Sequence, residues 1–208
     1  MCLELPLDIE AKSIMAFELI ENEAISIYQF LMERFCSFEP RDDELFQFVY
    51  KSFYGFGNAG ITKNFKSRYF ELMTVAKREK FVDLRTIVTE LYEIPNQKGQ
   101  KSLQFSFATK LAATLNPNLP LYDIWVAKVF GFRVPEHNKD FGTRLSEYIS
   151  FYEKLTVLYD KTVESDKLKI TIDKFRDKFD VSPEEVSSHK VLDFVFWAVG
   201  KQAGKLRK

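Results

Sequence analysis

The chain has 208 residues, 46% of them hydrophobic and 29% charged, with 30 basic side chains against 30 acidic ones. That is enough apolar material for a substantial core and too much for a disordered chain. Cys2, Cys36, His137 and His189 lack ligand spacing, which excludes a disulfide framework and a zinc centre and implies a reduced, cytoplasmic setting. The first residues show no basic and apolar leader, and no run nears the roughly 18 apolar residues of a membrane span, so no signal peptide and no membrane partner are expected.

Apolar residues recur at helical spacing almost throughout, which predicts an all-α fold. Phe17, Ile20, Ala24, Ile27, Phe30, Leu31 and Phe35 predict one long helix over Met15–Cys36. Further helices are predicted over Leu45–Tyr54, Lys63–Ala76, Phe81–Tyr92, Ser102–Leu115, Tyr122–Phe130, Phe141–Val163 and Leu168–Phe179. Breaks are expected at Pro40, Gly55–Gly60, Pro95–Gly99, Asn116–Pro120 and Arg133–Asn138. Ser182, Pro183 and Glu185 form a capping-box pattern that predicts the start of the last helix, ahead of Val186, Val191, Phe194, Val195 and Ala198. Without repeats or low-complexity linkers, residues 1–208 are expected to form a single helical unit, with an acidic helix region over 1–45.

Charge is placed unevenly. Residues 1–46 hold 11 acids and 3 bases, a net of −8 that the remainder balances with +8. Between Ile94 and Tyr122 there is no acid, only Lys98, Lys101 and Lys110, and the next carboxylate is Asp123. An amine and a carboxylate so disposed suit nucleophilic chemistry on a polyanion; the plain alternative is a solvated lysine face. Gly55–Gly60 matches GxGxxG by letter, but the residues before it are helical in period, so a dinucleotide site is rejected. The glycines instead suit a helix-ending loop at positive φ, with Lys63, Lys66 and Arg68 behind it as phosphate partners.

Two windows carry a family resemblance. Gly99-Gln-Lys-Ser-Leu-Gln-Phe-Ser-Phe-Ala-Thr-Lys-Leu followed by Asn116-Pro-Asn-Leu-Pro-Leu-Tyr-Asp123 resembles the hairpin, helix and Asn-Pro loop of helix-hairpin-helix DNA glycosylases. The archaeal 8-oxoguanine branch is the nearest in pattern. Asp193-Phe-Val-Phe-Trp197 resembles the Asp-x-x-x-Trp helix of that branch. The resemblance spans residues 46–200, with the hairpin region at 94–123, and implies two helical lobes around a cleft. It implies a base-excision glycosylase with AP lyase activity that removes a modified purine such as 8-oxoguanine, working as a monomer on damaged double-stranded DNA without a cofactor or metal.

By position in the resemblance, Lys101 is the nucleophile, with Lys110 as the rival amine, and Asp123 is the catalytic carboxylate. Asp193 and Trp197 receive the extruded base, while Lys63, Lys98, Gly99 and Gln100 meet the DNA. A lysine, normally near pKa of about 10.4, must lose its proton to attack C1′ and form a Schiff base. Trp197 would restack the everted base and Trp125 would touch the strand. The sequence departs from the family at the hairpin, which lacks Gly-hydrophobic-Gly, and at Gly55, which stands where the base-reading glutamine belongs. Structural alternatives exist for each: Lys101 as a solvated first-turn lysine, Asp123 as a helix cap, Trp197 as core. Two other functions compete: a non-catalytic nucleic-acid-binding module using Lys201, Lys205, Arg207 and Lys208, and a protein-interaction domain.

Overall fold

The computed structural model describes residues 3–57 and 60–205, all of them helical, turn or irregular, with no strand among them. Ten α-helices follow in order among the described residues: α1 Ile9–Ala16, α2 Asn22–Ser37, α3 Glu44–Phe53, α4 Lys63–Glu79, α5 Leu84–Tyr92, α6 Phe105–Leu115, α7 Ile124–Val129, α8 Phe141–Glu164, α9 Lys169–Phe179 and α10 Ser188–Lys205. They gather into two compact units, one from Met1–Asn22 with Pro117–Lys208, the other from Glu23–Asn116. No helix of the described residues is long and apolar enough to cross a membrane.

The Glu23–Asn116 unit is built on rings. Phe46, Tyr50, Phe56, Tyr69 and Phe70 are buried together, and Phe107 of α6 lies 4.3 Å from Phe56, centroid to centroid. Such contacts add about 0.5–1.5 kcal/mol per pair beyond the area they bury. The tyrosine hydroxyls must be satisfied inside this core. Tyr50 and Tyr69 meet at 2.9 Å, and Tyr69 donates to the Phe107 carbonyl at 2.9 Å, so the hydroxyl chain ties α3, α4 and α6 together. Asp43 starts α3 by accepting the Phe46 amide at 3.0 Å, while its other oxygen meets Arg34 of α2 at 2.7 Å.

In the other unit α10 is the hub. From Lys190 to Gly200 nearly every residue is buried, as expected of a helix covered on all sides. It packs against α1, α7, α8 and α9. Gly200 explains the close approach of α7: a Cβ there would run into the Trp125 carbonyl, and one at Gly204 would run into the Trp125 ring. Two helical glycines, each costing about 0.5–1 kcal/mol against alanine, are what allow Trp125 to lie flush on α10.

Two predicted boundaries are corrected. Met15–Cys36 is not one helix: α1 ends at Ala16, a 3₁₀ turn covers Phe17–Leu19, and Ile20 is extended at φ −101° and ψ 116°. Its apolar stripe was two stripes, with Phe17 and Ile20 buried in the first unit and Ile25, Leu31 and Phe35 in the second. The capping box at Ser182 does form, since the Ser182 amide donates to Glu185 at 2.8 Å and the Glu185 amide to Ser182 Oγ at 3.3 Å. It holds only an isolated turn. The helix begins at Ser188, where Ser187 Oγ accepts the Lys190 amide at 3.2 Å, a second serine cap five residues on. Two smaller shifts follow the same logic: Asp83 caps α5 through the Arg85 amide, so that helix starts at Leu84, and Ser102–Gln104 stays irregular ahead of α6.

Candidate active site

The hairpin between α5 and α6 is organised by Asn96. Its side-chain oxygen accepts the Lys98 amide at 2.9 Å and the Gln100 amide at 3.0 Å, an Asx-type closure. Its main chain pairs with Gln100 and Gly99, at 2.8 and 2.9 Å, and Gly99 takes the left-handed φ of 75° that the turn needs. The Gln97 amide donates to the Gly60 carbonyl at 2.9 Å. Every amide from Asn96 to Gln100 therefore has an internal acceptor, and the expected role of Lys98, Gly99 and Gln100 as a phosphate-binding amide turn is not available in this conformation. Gly55, just past the end of α3, stands at φ 70°, and Gly60, ahead of the α4 cap Thr62, at φ 62°; Asn58 and Ala59 between them lie outside the described residues. Lys63 is exposed at the first turn of α4, whereas Arg68 is taken up by Glu90 and Glu71 at 2.5 and 3.0 Å.

The two candidate amines differ in setting. Lys101 lies on the extended segment before α6, exposed, with its Nζ on Glu93 at 2.5 Å and 5.7 Å from the Tyr92 ring centroid. It is not the first-turn helical lysine the sequence suggests. Lys110 lies within α6, half-buried; its Nζ donates to the Tyr54 carbonyl at 3.3 Å and sits 4.9 and 5.5 Å from the Phe107 and Tyr54 rings. Both amines belong to the Glu23–Asn116 unit, and Asp123, Asp193 and Trp197 to the other.

Asp123 caps α7: its Oδ1 accepts the Trp125 amide at 2.8 Å while the side chain stays half-exposed. Asp193 is different. It is 3% exposed, its Oδ1 accepts the Leu121 amide at 2.9 Å, and its Oδ2 faces Lys190 Nζ at 3.5 Å. Burial pushes the Asp193 carboxyl up, opposed by Lys190, the Leu121 amide and the Tyr159 hydroxyl. Burial pushes the Lys190 amine down, opposed by Asp193. Desolvation also lifts the phenols of Tyr152 and Tyr159, which face the same carboxylate. As placed, Asp193 anchors the loop that delivers Asp123 and does not present a free acceptor to a base. Lys190 was missed by sequence reasoning; the only signal was its position one helical turn before Asp193, on the same face.

No family profile, curated protein or solved structure matches this chain. The helix-hairpin-helix resemblance therefore rests on the residues themselves. Among the described residues no group of three His, Cys, Asp or Glu side chains is placed to hold a metal ion, and Cys36 is a free, exposed thiol. Trp197 is half-exposed on α10 with Lys201 Nζ 4.2 Å over its ring, and Trp125 carries Lys128 Nζ at 4.2 Å in the same way. Of the basic tail, Lys201 and Lys205 are on α10, while Arg207 and Lys208 lie outside the described residues.

Proposed function

We propose that the protein is a base-excision DNA glycosylase of the helix-hairpin-helix type with AP lyase activity, acting as a cytoplasmic monomer on double-stranded DNA bearing a damaged purine such as 8-oxoguanine. The observation that carries this reading is the 2.9 Å bond from the Leu121 amide to Asp193. It joins the two windows, 72 residues apart, that resemble the family independently. It supports the reading in that Asp193 of the second window holds the loop that carries Asp123 of the first.

In this reading a lysine amine attacks C1′ as the bond to the base breaks. Asp123 takes the amine's proton and stabilises positive charge developing on the sugar. The C1′–O4′ bond then opens, O4′ taking a proton, and the resulting Schiff base allows loss of the C2′ proton and departure of the 3′ phosphate. Lys110 is held by a carbonyl and two ring faces and Lys101 by Glu93, so either amine must leave its partners to attack. The exposed Lys101–Glu93 pair is worth only about 0–1 kcal/mol, so Lys101 stays in contention. Asp193 acts through Leu121 as a positioning residue, and Trp197 offers the face on which an everted base stacks. No cofactor is called for by this chemistry.

Borohydride trapping on duplexes carrying a panel of lesions tests the proposal, with the wild type compared against Lys101→Gln and Lys110→Gln. An adduct lost in one variant and kept in the other names the nucleophile; no adduct with any lesion in the wild type refutes excision through a Schiff base. The rival, a binding module without chemistry, predicts salt-sensitive DNA binding that survives both substitutions.

A further inference from the structure

The chain contains two tryptophans, Trp125 and Trp197, and both lie at the packing of α7 on α10. Trp125 sits on the stripe made by Gly200 and Gly204, and Trp197 occupies the same face of α10 one turn earlier, three residues before Gly200. Neither ring is sealed in the core: both are half-exposed, and each is faced by a lysine ammonium at 4.2 Å, Lys128 over Trp125 and Lys201 over Trp197. One acid adjoins the face, Asp123, which accepts the Trp125 amide at 2.8 Å; beyond it the flanking sequence is basic. Residues 124–135 and 194–205 hold no acid and carry Lys128, Arg133, Lys201 and Lys205.

We infer that this α7–α10 face is a ledge for an unpaired stretch of nucleic-acid strand, whose bases stack on the two indoles while the lysines turn from the rings to the phosphates. A base has a π-face that competes for the indole, and a phosphate gives the displaced ammonium a full negative charge in exchange for a ring quadrupole. A nucleotide carries a π-face and an anion in one unit, whereas a protein partner would have to bring them on separate side chains. The inference shares with the proposed function the idea of a nucleic-acid ligand, but it requires no excision and no lesion.

Because those tryptophans are the whole indole content, intrinsic fluorescence reads this ledge directly. Titration with an unmodified oligothymidine of about 16 nucleotides, a length within the known range of strand-binding sites, is expected to quench the emission saturably. Trp197→Leu is expected to weaken binding about tenfold, the loss of one stacked base. Lys128→Gln with Lys201→Gln, both at accessible positions, is expected to lower the slope of log affinity against log salt by about 1.4 for two lost phosphate contacts. Inorganic polyphosphate is the base-free control. Absence of quenching overturns the ledge, as does an unchanged salt slope in the lysine variant, and so does displacement by polyphosphate at equal charge, which would make the face a plain polyanion site. A borohydride adduct without quenching sinks the ledge and leaves excision standing; quenching without an adduct does the reverse.

Discussion

At the residue scale, the informative groups are carboxylates in low-dielectric settings. Burial works to raise Asp43, but the Arg34 hydrogen bond and the Phe46 and Leu45 amides outweigh it and hold the carboxyl below the usual aspartate value. A depressed folded-state pKa gives stability that is present above the unfolded value, near about 3.9, and is lost as pH falls through the folded one. Asp43→Ala is therefore expected to cost about 1–2 kcal/mol at neutral pH from the lost α3 cap and to flatten the acid limb of the stability curve. Urea unfolding from pH 2 to 7 checks both, and an unchanged acid limb would deny the Arg34 pair its role. Asp193 presents the opposite case, a carboxylate raised by burial beside a buried amine. Asp193→Ala leaves Lys190 uncompensated, which costs about 3–5 kcal/mol, whereas joint replacement by Leu and Met recovers most of the loss. A single variant within about 1 kcal/mol of wild type in urea would mean that the pair is hydrated, not buried.

At the scale of elements, the seat of α7 is set by Gly200. Gly200→Ala forces backbone against backbone at the Trp125 carbonyl and is expected to destabilise by about 1–3 kcal/mol, as overpacking does. The Trp125 emission should shift red as its ring lifts from α10. Gly204→Ala meets only the ring, which can turn, so its effect should be smaller; equal effects would contradict the account. Most helices were legible as apolar periodicity, and the positive-φ loop positions Gly55 and Gly60 were legible as glycines. Starts were read less well. Ser182 and Ser187 offer the same hydroxyl five residues apart, and only the burial of Val191 and Leu192 in the hub decides which one opens α10. The hairpin was readable as a turn, but its amides were not: the Asn96 side chain consumes them, a choice that depends on rotamer and not on spacing.

At the scale of the molecule, residues up to Asn22 join the C-terminal segment, and α1 packs on α9 and α10. Period 3.6 reveals which face of a helix is buried but not which partner buries it, so the break at Ile20 was invisible in a stripe that ran on unbroken from Phe17 to Phe35. The candidate site shows the same limit. Asp123 and Trp197 were legible from residue type and position, and both are accessible. The burial of Asp193, its tie to Leu121 and the presence of Lys190 depend on packing across 72 residues, which no local pattern contains. The sequence put Lys101 ahead of Lys110 by its place just after the hairpin glycine Gly99, and the neighbours that set the two amines apart, Glu93 for one and Tyr54 for the other, were not readable as contacts.

The central claim is that a lysine of the α5–α6 region forms a covalent bond to the sugar of a damaged nucleotide. Borohydride reduction with an 8-oxoguanine duplex and the wild-type protein tests it most directly. A protein–DNA adduct that forms with the wild type and is lost in Lys101→Gln or in Lys110→Gln is the predicted result, and the absence of any adduct across the lesion panel would contradict the account.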